Sequence, residues 1–292
     1  MDRRRFHHHL AWALAGTSPL LAHAQQKAVD TAPASRWQAI EAAAAGRLGV
    51  AVLDTADGRL QGHRLDERFP LCSTFKWLAS ALVLHRVDAG QEQLDRRIRF
   101  GPEAMVPYAP VTSKHIGGEG MTLAELCEAA ITLSDNTAGN LILKSFGGPE
   151  ALAPYARTLG DPVTRLDRWE PELNEATPGD PRDTTSPRAM ATALRATMLG
   201  EALSAPSREQ LVRWMEATQT NGKRLRAGLP TGWRMGSKTG TGARGTTNDV
   251  GVFWPPGRAP VVVAVYLTET SADEATRNAA IARVAHEVTS GG

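Results

Sequence analysis

The chain has 292 residues, enough for one large domain or two modest ones with an ample core. Charged residues are 22% and hydrophobic ones 42%, the balance of an ordinary soluble globular protein. The formal charge of +2 traces to Arg3, Arg4 and Arg5 against Asp2, so the remainder is neutral and offers no electrostatic case for nucleic-acid binding.

The N-terminus reads as an export signal over residues 1–24. Arg3-Arg4-Arg5-Phe6 is its charged part, residues 10–21 are mostly apolar, and Ala22-His23-Ala24 is a cleavage site that leaves Gln25 first. The paired arginines loosely resemble a twin-arginine signal, and His7-His8-His9 leave with it. A periplasmic or secreted protein, outside the membrane after cleavage, is the expectation. Ser35 then caps a helix to about residue 45, residues 48–54 read as a buried strand, and Ala56-Asp57-Gly58 turns the chain into a partner strand over 59–65.

The pattern from 73 to about 89 is helical, with Leu78, Leu82 and Val83 at core spacing and Gly90 as stop. Thr122 and Glu125 form a capping box for a helix to Leu133, and a further helix follows Asn136 as far as Gly147-Gly148. Residues 161–187 form a long proline-studded stretch without periodicity, of a length that is usually functional or disordered. Arg168 and Asp183, near its ends, either close it into a compact Ω-like loop or make an ordinary surface pair. Strands are predicted over 234–238, 249–254 and 261–268, then a last helix with a Ser271/Glu274 capping box and Ile281, Val284, Ala285 and Val288 on one face. Both ends thus supply strands while the middle supplies helices. The expected fold is α+β: an antiparallel sheet flanked by helices, built from residues 25–67 and 215–292, with an all-α domain inserted over 68–214 and the Ω-like loop at about 165–183.

Four islands carry chemistry. Ser73 and Lys76 share a helix face, so the amine can take the hydroxyl proton, while free N–H groups at the helix start can stabilise an oxyanion. Ser134-Asp135-Asn136 offers a second hydroxyl for proton relay and an amide, or simply a helix cap. Glu170 and Asn174 can hold one water between them, with the carboxylate as its base. In Lys238-Thr239-Gly240, followed by Thr241-Gly242, a cation and hydroxyls can meet a carboxylate where the glycines admit a close ligand. Each island alone also fits a bland structural role. Together, in this order, they make up the parts for forming an acyl-enzyme and hydrolysing it.

In these motifs, and in Arg168-Trp169-Glu170-Pro171-Glu172-Leu173-Asn174 and Asp183-Thr184-Thr185, the chain resembles the class A serine β-lactamases from about Ser35 to its end. The resemblance implies the serine β-lactamase and penicillin-binding-protein fold, with the site between domains. It implies hydrolysis of the β-lactam amide of penicillins and cephalosporins, without a cofactor or metal, by a monomer. Ser73 is then the nucleophile, Lys76 and Glu170 share proton duties, and Glu170 with Asn174 activates the deacylating water. Ser134 delivers a proton to the ring nitrogen and Asn136 binds the substrate side-chain amide. Lys238, Thr239, Gly240 and Thr241 line the carboxylate site, the Ser73 and Thr241 N–H groups form the oxyanion hole, and Tyr108 is an aromatic wall.

Two departures stand out. Where many relatives carry an arginine after the Lys-Thr-Gly strand, this chain has Thr246 and Thr247, and Arg224 matches the position that supplies the charge in other members. Cys72 and Cys127, expected as buried free thiols, match positions that some relatives cross-link, but the partner positions hold Gly242 and Ser80. The same resemblance leaves a penicillin-binding DD-peptidase, against which Glu170 and Asn174 count, or a covalent β-lactam sensor, against which the lack of a membrane segment or signalling domain counts, as alternatives. A metal-dependent lactamase is disfavoured because His63, His85, His115 and His286 lack ligand spacing.

Overall fold

The computed structural model describes residues 34–290. The export signal and the capping side chain of Ser35 lie outside the described residues. Helix α1 (Ala34–Ala44) leads into β1 (Arg47–Asp54), whose apolar run is buried between its ends. Gly58, at φ 73°, closes the turn into β2 (Leu60–His63). After β3 (Phe69–Pro70) comes a single 3₁₀ turn, Cys72–Thr74, and then α2 (Phe75–Asp88). Residues 75–84 are all buried, so α2 is a central helix wrapped on every side rather than an amphipathic surface one.

The middle of the chain continues with the paired strands β4 (Arg97–Ile98) and β5 (Met121–Thr122), then α3 (Leu123–Thr132), α4 (Asn136–Ser145) and α5 (Leu152–Thr158). The capping box of α3 forms as its spacing predicts: Thr122 Oγ1 accepts the Glu125 N–H at 3.2 Å and Glu125 Oε2 accepts the Thr122 N–H at 2.7 Å. Short β6 (Thr184–Thr185) pairs with β3, and α6 (Pro187–Met198), α7 (Ala205–Glu216), β7 (Arg234–Thr241), β8 (Thr247–Trp254), β9 (Val261–Thr268) and α8 (Glu274–Ser290) complete the chain. The five longer strands form one antiparallel sheet in the order β2-β1-β9-β8-β7.

Period-two alternation decides which face each side chain serves. On β9, Val261, Val263, Val265 and Leu267 join Trp37, Ile40, Ile281 and Val284 of α1 and α8 on one side. Val262, Ala264 and Tyr266 join the larger core around α2, α3 and α6 on the other. The result is the α+β arrangement expected, with α6 packed on β1, β8 and β9.

Three local readings need correction. The capping box expected at Ser271 and Glu274 is replaced by Asp273, whose Oδ1 accepts the Thr276 N–H at 2.8 Å. Strand β7 runs past 238 to Thr241, and β8 starts at Thr247, because the ladder continues through Gly240↔Asn248 and Thr241↔Thr247. Strand pairing overrides the low strand preference of glycine there. Helices α6 and α7, which carry no predicted element, start at Ser186 and Ser204, each a serine cap followed within two residues by proline.

The stretch between α5 and α6 is compact. Asp183 accepts the N–H groups of Asp167 (2.8 Å) and Arg168 (2.9 Å) and the Arg168 Nε–H (2.5 Å), while Asp167 accepts the Asp183 N–H at 3.1 Å. Leu166 and Leu173 point inward to the core. Asp183 is buried, and an amide in its place keeps an oxygen for the two backbone N–H groups but sets an N–H donor against Arg168 Nε and removes that guanidinium's buried anion. Asp183→Asn is expected to lower the unfolding free energy by about 2 kcal/mol, read from urea denaturation.

Candidate active site

The nucleophile candidate sits on a strained approach. Cys72, just before it, has φ 45°, and the 3₁₀ turn carries Ser73 into the first turn of α2. Lys76 follows one turn later and is fully buried. Its three ammonium protons go to Ser73 Oγ (2.9 Å), the Ser134 carbonyl (2.8 Å) and Asn136 Oδ1 (2.6 Å). Glu170 Oε1 lies 2.9 Å from the same nitrogen and accepts from Ser73 Oγ at 3.2 Å. Burial pushes the Lys76 pKa down, and Glu170 opposes that shift. Gly139 of α4 makes room for the lysine: a Cβ there would lie 2.9 Å from Lys76 Cε.

The Ser134-Asp135-Asn136 island divides its labour. Asp135 is the cap of α4, accepting the Ala138 N–H at 2.9 Å, and it also accepts from Val111 N, Thr112 N and Thr112 Oγ1, each at 2.9 Å. It therefore anchors the neighbouring loop, the structural role, while its flanking residues face the cleft. Ser134, at φ 61°, points its hydroxyl to Lys238, and Asn136 donates Nδ2–H to the Pro107 carbonyl at 2.9 Å. The Asn136 N–H bonds the Tyr108 carbonyl at 2.9 Å, which fixes the segment presenting the 60%-exposed Tyr108 ring at the cleft.

Glu170 arrives from the Ω-like loop through a cis bond to Pro171. Asn140 of α4 holds its backbone on both sides: Oδ1 accepts the Glu170 N–H and Nδ2 donates to the Glu170 carbonyl, both at 2.9 Å. Asn174 Nδ2 donates to Glu170 Oε2 and, at 3.1 Å, to the Pro171 carbonyl. The second carboxylate oxygen is thereby committed to the amide, leaving Oε1 for Ser73 and Lys76.

The opposite wall is β7. Although this is an edge strand, Lys238 is fully buried, because α7 and the 3₁₀ turn before α2 pack against the strand face it shares with Gly236 and Gly240. Lys238 Nζ donates to Ser134 Oγ at 2.9 Å and to the Thr239 carbonyl at 2.8 Å. Thr239 Oγ1 and Thr220 Oγ1 are 2.5 Å apart. Gly240 is required by close packing, since a Cβ would lie 2.9 Å from the Leu71 carbonyl oxygen. Arg224 reaches the end of the strand, with Nη1 on the carbonyls of Gly240 and Asn248 (2.8 Å each), Nη2 on Thr241 Oγ1 (2.7 Å) and Nε on Asn278 Oδ1 (3.0 Å). Burial lowers the pKa of both Lys238 and Arg224, and Lys238 is pushed down further by Lys76 and Arg224.

Ser73, Tyr108, Ser134, Asn136, Asn174, Thr239, Gly240, Thr241 and Arg224 line one cleft of about 420 Å³. Lys76, Glu170 and Lys238 lie behind them, bonded to the lining hydroxyls. All twelve residues singled out in the sequence therefore meet here. Thr220 joins the lining and Asn140 supports Glu170 without any local sequence signal, because neither sits in a motif. Both cysteines are free and buried; a Cβ at Gly242 would lie 2.6 Å from Cys72 Sγ, and the Ser80 side chain adjoins Cys127.

Comparison with known proteins gives the family. Residues 32–290 match the model of the Beta-lactamase enzyme family. Beta-lactamase AST-1 of Nocardia asteroides is 45% identical over 298 residues, spanning 98% of this chain and 95% of that protein. The Carbapenem-hydrolyzing beta-lactamase KPC of Klebsiella oxytoca is 45% identical over 277 residues, spanning 94% and 92% respectively. Among solved structures, an ancestral (GNCA) class A beta-lactamase superposes with a TM-score of 0.87 at 63% identity, covering 88% of this chain and 99% of that one. With a serine, a buried lysine and a buried glutamate converging in one cleft, the chain belongs to the class A serine β-lactamases and hydrolyses β-lactams.

Proposed function

We propose that penicillins and cephalosporins are opened through an acyl-enzyme on Ser73 that is hydrolysed by a water activated by Glu170. The observation that carries this reading is the convergence of Lys76 Nζ (2.9 Å) and Glu170 Oε1 (3.2 Å) on Ser73 Oγ. Ser73 Oγ attacks the lactam carbonyl as its proton passes to Lys76 or Glu170. Burial lowers the pKa of Lys76, which eases passage of a proton from its ammonium to Glu170 and so leaves an amine able to accept the one from Ser73. The Ser73 and Thr241 N–H groups hold the oxyanion. As the C–N bond breaks, Ser134 passes its proton to the ring nitrogen and is refilled from the lysine side of the network. Glu170, oriented by Asn174, then takes a proton from water, the hydroxide adds to the ester carbonyl, and Ser73 leaves with a proton returned to it.

Lys238, Thr239, Thr241 and Arg224 bind the substrate carboxylate, and Gly240 lets it approach the strand backbone. Asn136 and Tyr108 orient the side chain. The enzyme of this reading acts as a monomer, and the 1–24 segment supports export to the periplasm or beyond.

Ser73→Ala should abolish turnover of a chromogenic cephalosporin. Glu170→Ala should lower kcat by about 10²–10⁴-fold and leave an acyl adduct visible by intact-protein mass spectrometry; deacylation at the parent rate would refute the water-activating role. A penicillin methyl ester should show a KM about tenfold or more above that of the free acid, the size of one lost charge-assisted hydrogen bond. Protein recovered from the periplasm of an expressing bacterium should have the mass of a chain starting at Gln25.

A further inference from the structure

One buried carboxylate takes no part in the steps above. Asp249, on β8, is fully buried and stands opposite Thr239 in the β7–β8 register. Its Oδ2 accepts the Leu225 N–H at 3.2 Å, one residue beyond Arg224. Its Oδ1 is buried without a hydrogen-bond partner among the described residues, on the strand face shared with Thr239 and with Ser237, the neighbour of Lys238, whose Oγ accepts from Asn221 Nδ2 at 3.0 Å. A single carboxylate thus joins the two segments that deliver the cations of the carboxylate wall.

The charges around it are unevenly matched. Lys76 has Glu170 at 2.9 Å. Lys238 bonds only the neutral Ser134 and Thr239 oxygens, and it faces Lys76 and Arg224 as well as Glu170 and Asp249. Arg224 spends its N–H groups on carbonyls, Thr241 and Asn278; the charges facing it are Asp249, Glu274 and Arg277 of α8, with the Cys72 thiol beside them. Glu274 reaches this group only through Asn278, whose Nδ2 it accepts at 3.3 Å.

We propose that Asp249 is a positioning residue, an anion behind β7 that keeps Lys238 protonated and Arg224 seated, and so sets the upper pH at which substrate carboxylate is captured. This rests on the reading that Lys238 and Arg224 bind that carboxylate. Burial raises Asp249 to about 6, so it is ionised above that pH. Its charge favours the ammonium form of Lys238; without it the cation is lost at a lower pH. The effect on folding has the opposite sign. A carboxyl whose folded pKa lies above its ordinary range binds more protons folded than unfolded, so stability falls as pH rises through about 6. The carboxylate is kept at a cost to stability, as expected of a group retained for the site rather than the fold.

The test compares the parent full-length chain with Asp249→Asn, using a penicillin and its methyl ester across pH. In the variant, the alkaline limb of kcat/KM for the acid should move down by about one pH unit, the effect of one nearby charge. At pH 8, KM for the acid should rise several-fold while kcat and the ester's KM hold, and the melting temperature should rise relative to the parent. An unmoved limb, or an equal KM change for acid and ester, overturns the proposal. So does failure to fold at pH 5, where the parent carboxyl is itself protonated. An ester that binds the parent as tightly as the acid overturns the carboxylate-site reading itself, and is distinguished because it needs no variant.

Discussion

The ammonium of Lys76 is the point on which the site depends. It is wholly out of water, so its charge is tolerable only if every proton has an acceptor and a counter-ion lies close. Those acceptors come from three places in the chain: Ser73 on the same helix, Ser134 and Asn136 at the α3–α4 junction, and Glu170 from the Ω-like loop. Satisfying one buried cation therefore forces three separate segments into register. The same requirement places a hydroxyl, a carbonyl, an amide and a carboxylate around one nitrogen, which is the arrangement the chemistry needs.

The loop that brings Glu170 obeys the same logic at its base. Asp183, buried, collects two backbone N–H groups and the Arg168 guanidinium, and Asp167 returns a bond to the Asp183 backbone. The loop is held by polar satisfaction at its neck and by Leu166 and Leu173 in the core, while Asn140 fixes the backbone where the carboxylate leaves it. Rigidity there matters for the proposed role of Glu170, which asks its carboxylate to hold a water at one angle to an ester carbonyl.

The β7 wall faces the reverse problem, an excess of positive charge. Lys238, Arg224 and Lys76 are all buried, and burial lowers the pKa of each. Such a wall suits the anionic substrate proposed for it, and its cations persist only with buried anions nearby. Glu170 serves Lys76, and Asp249 lies behind the other two. Catalytic and binding halves of the cleft thus each have their own carboxylate.

Much of this was legible in the sequence because it is local. Ser73 and Lys76 share a helix face by spacing alone, the Thr122 box follows from its two side chains, and the apolar runs of β1 and β9 are buried as their composition requires. The serine caps and prolines opening α6 and α7 were equally present as signals. Other outcomes depend on partners distant in the chain. Nothing near Lys238 says that an edge-strand lysine is fully buried; α7 and the turn before α2 decide that. Asn140 and Thr220 acquire roles only because Glu170 and Thr239 fold against them. By itself, the sequence determined the chemical groups, their order and the helix and strand periods that orient them. Tertiary structure alone decided which charges lose water and which anions answer them, because desolvation and Coulomb energies depend on distances the chain order does not contain.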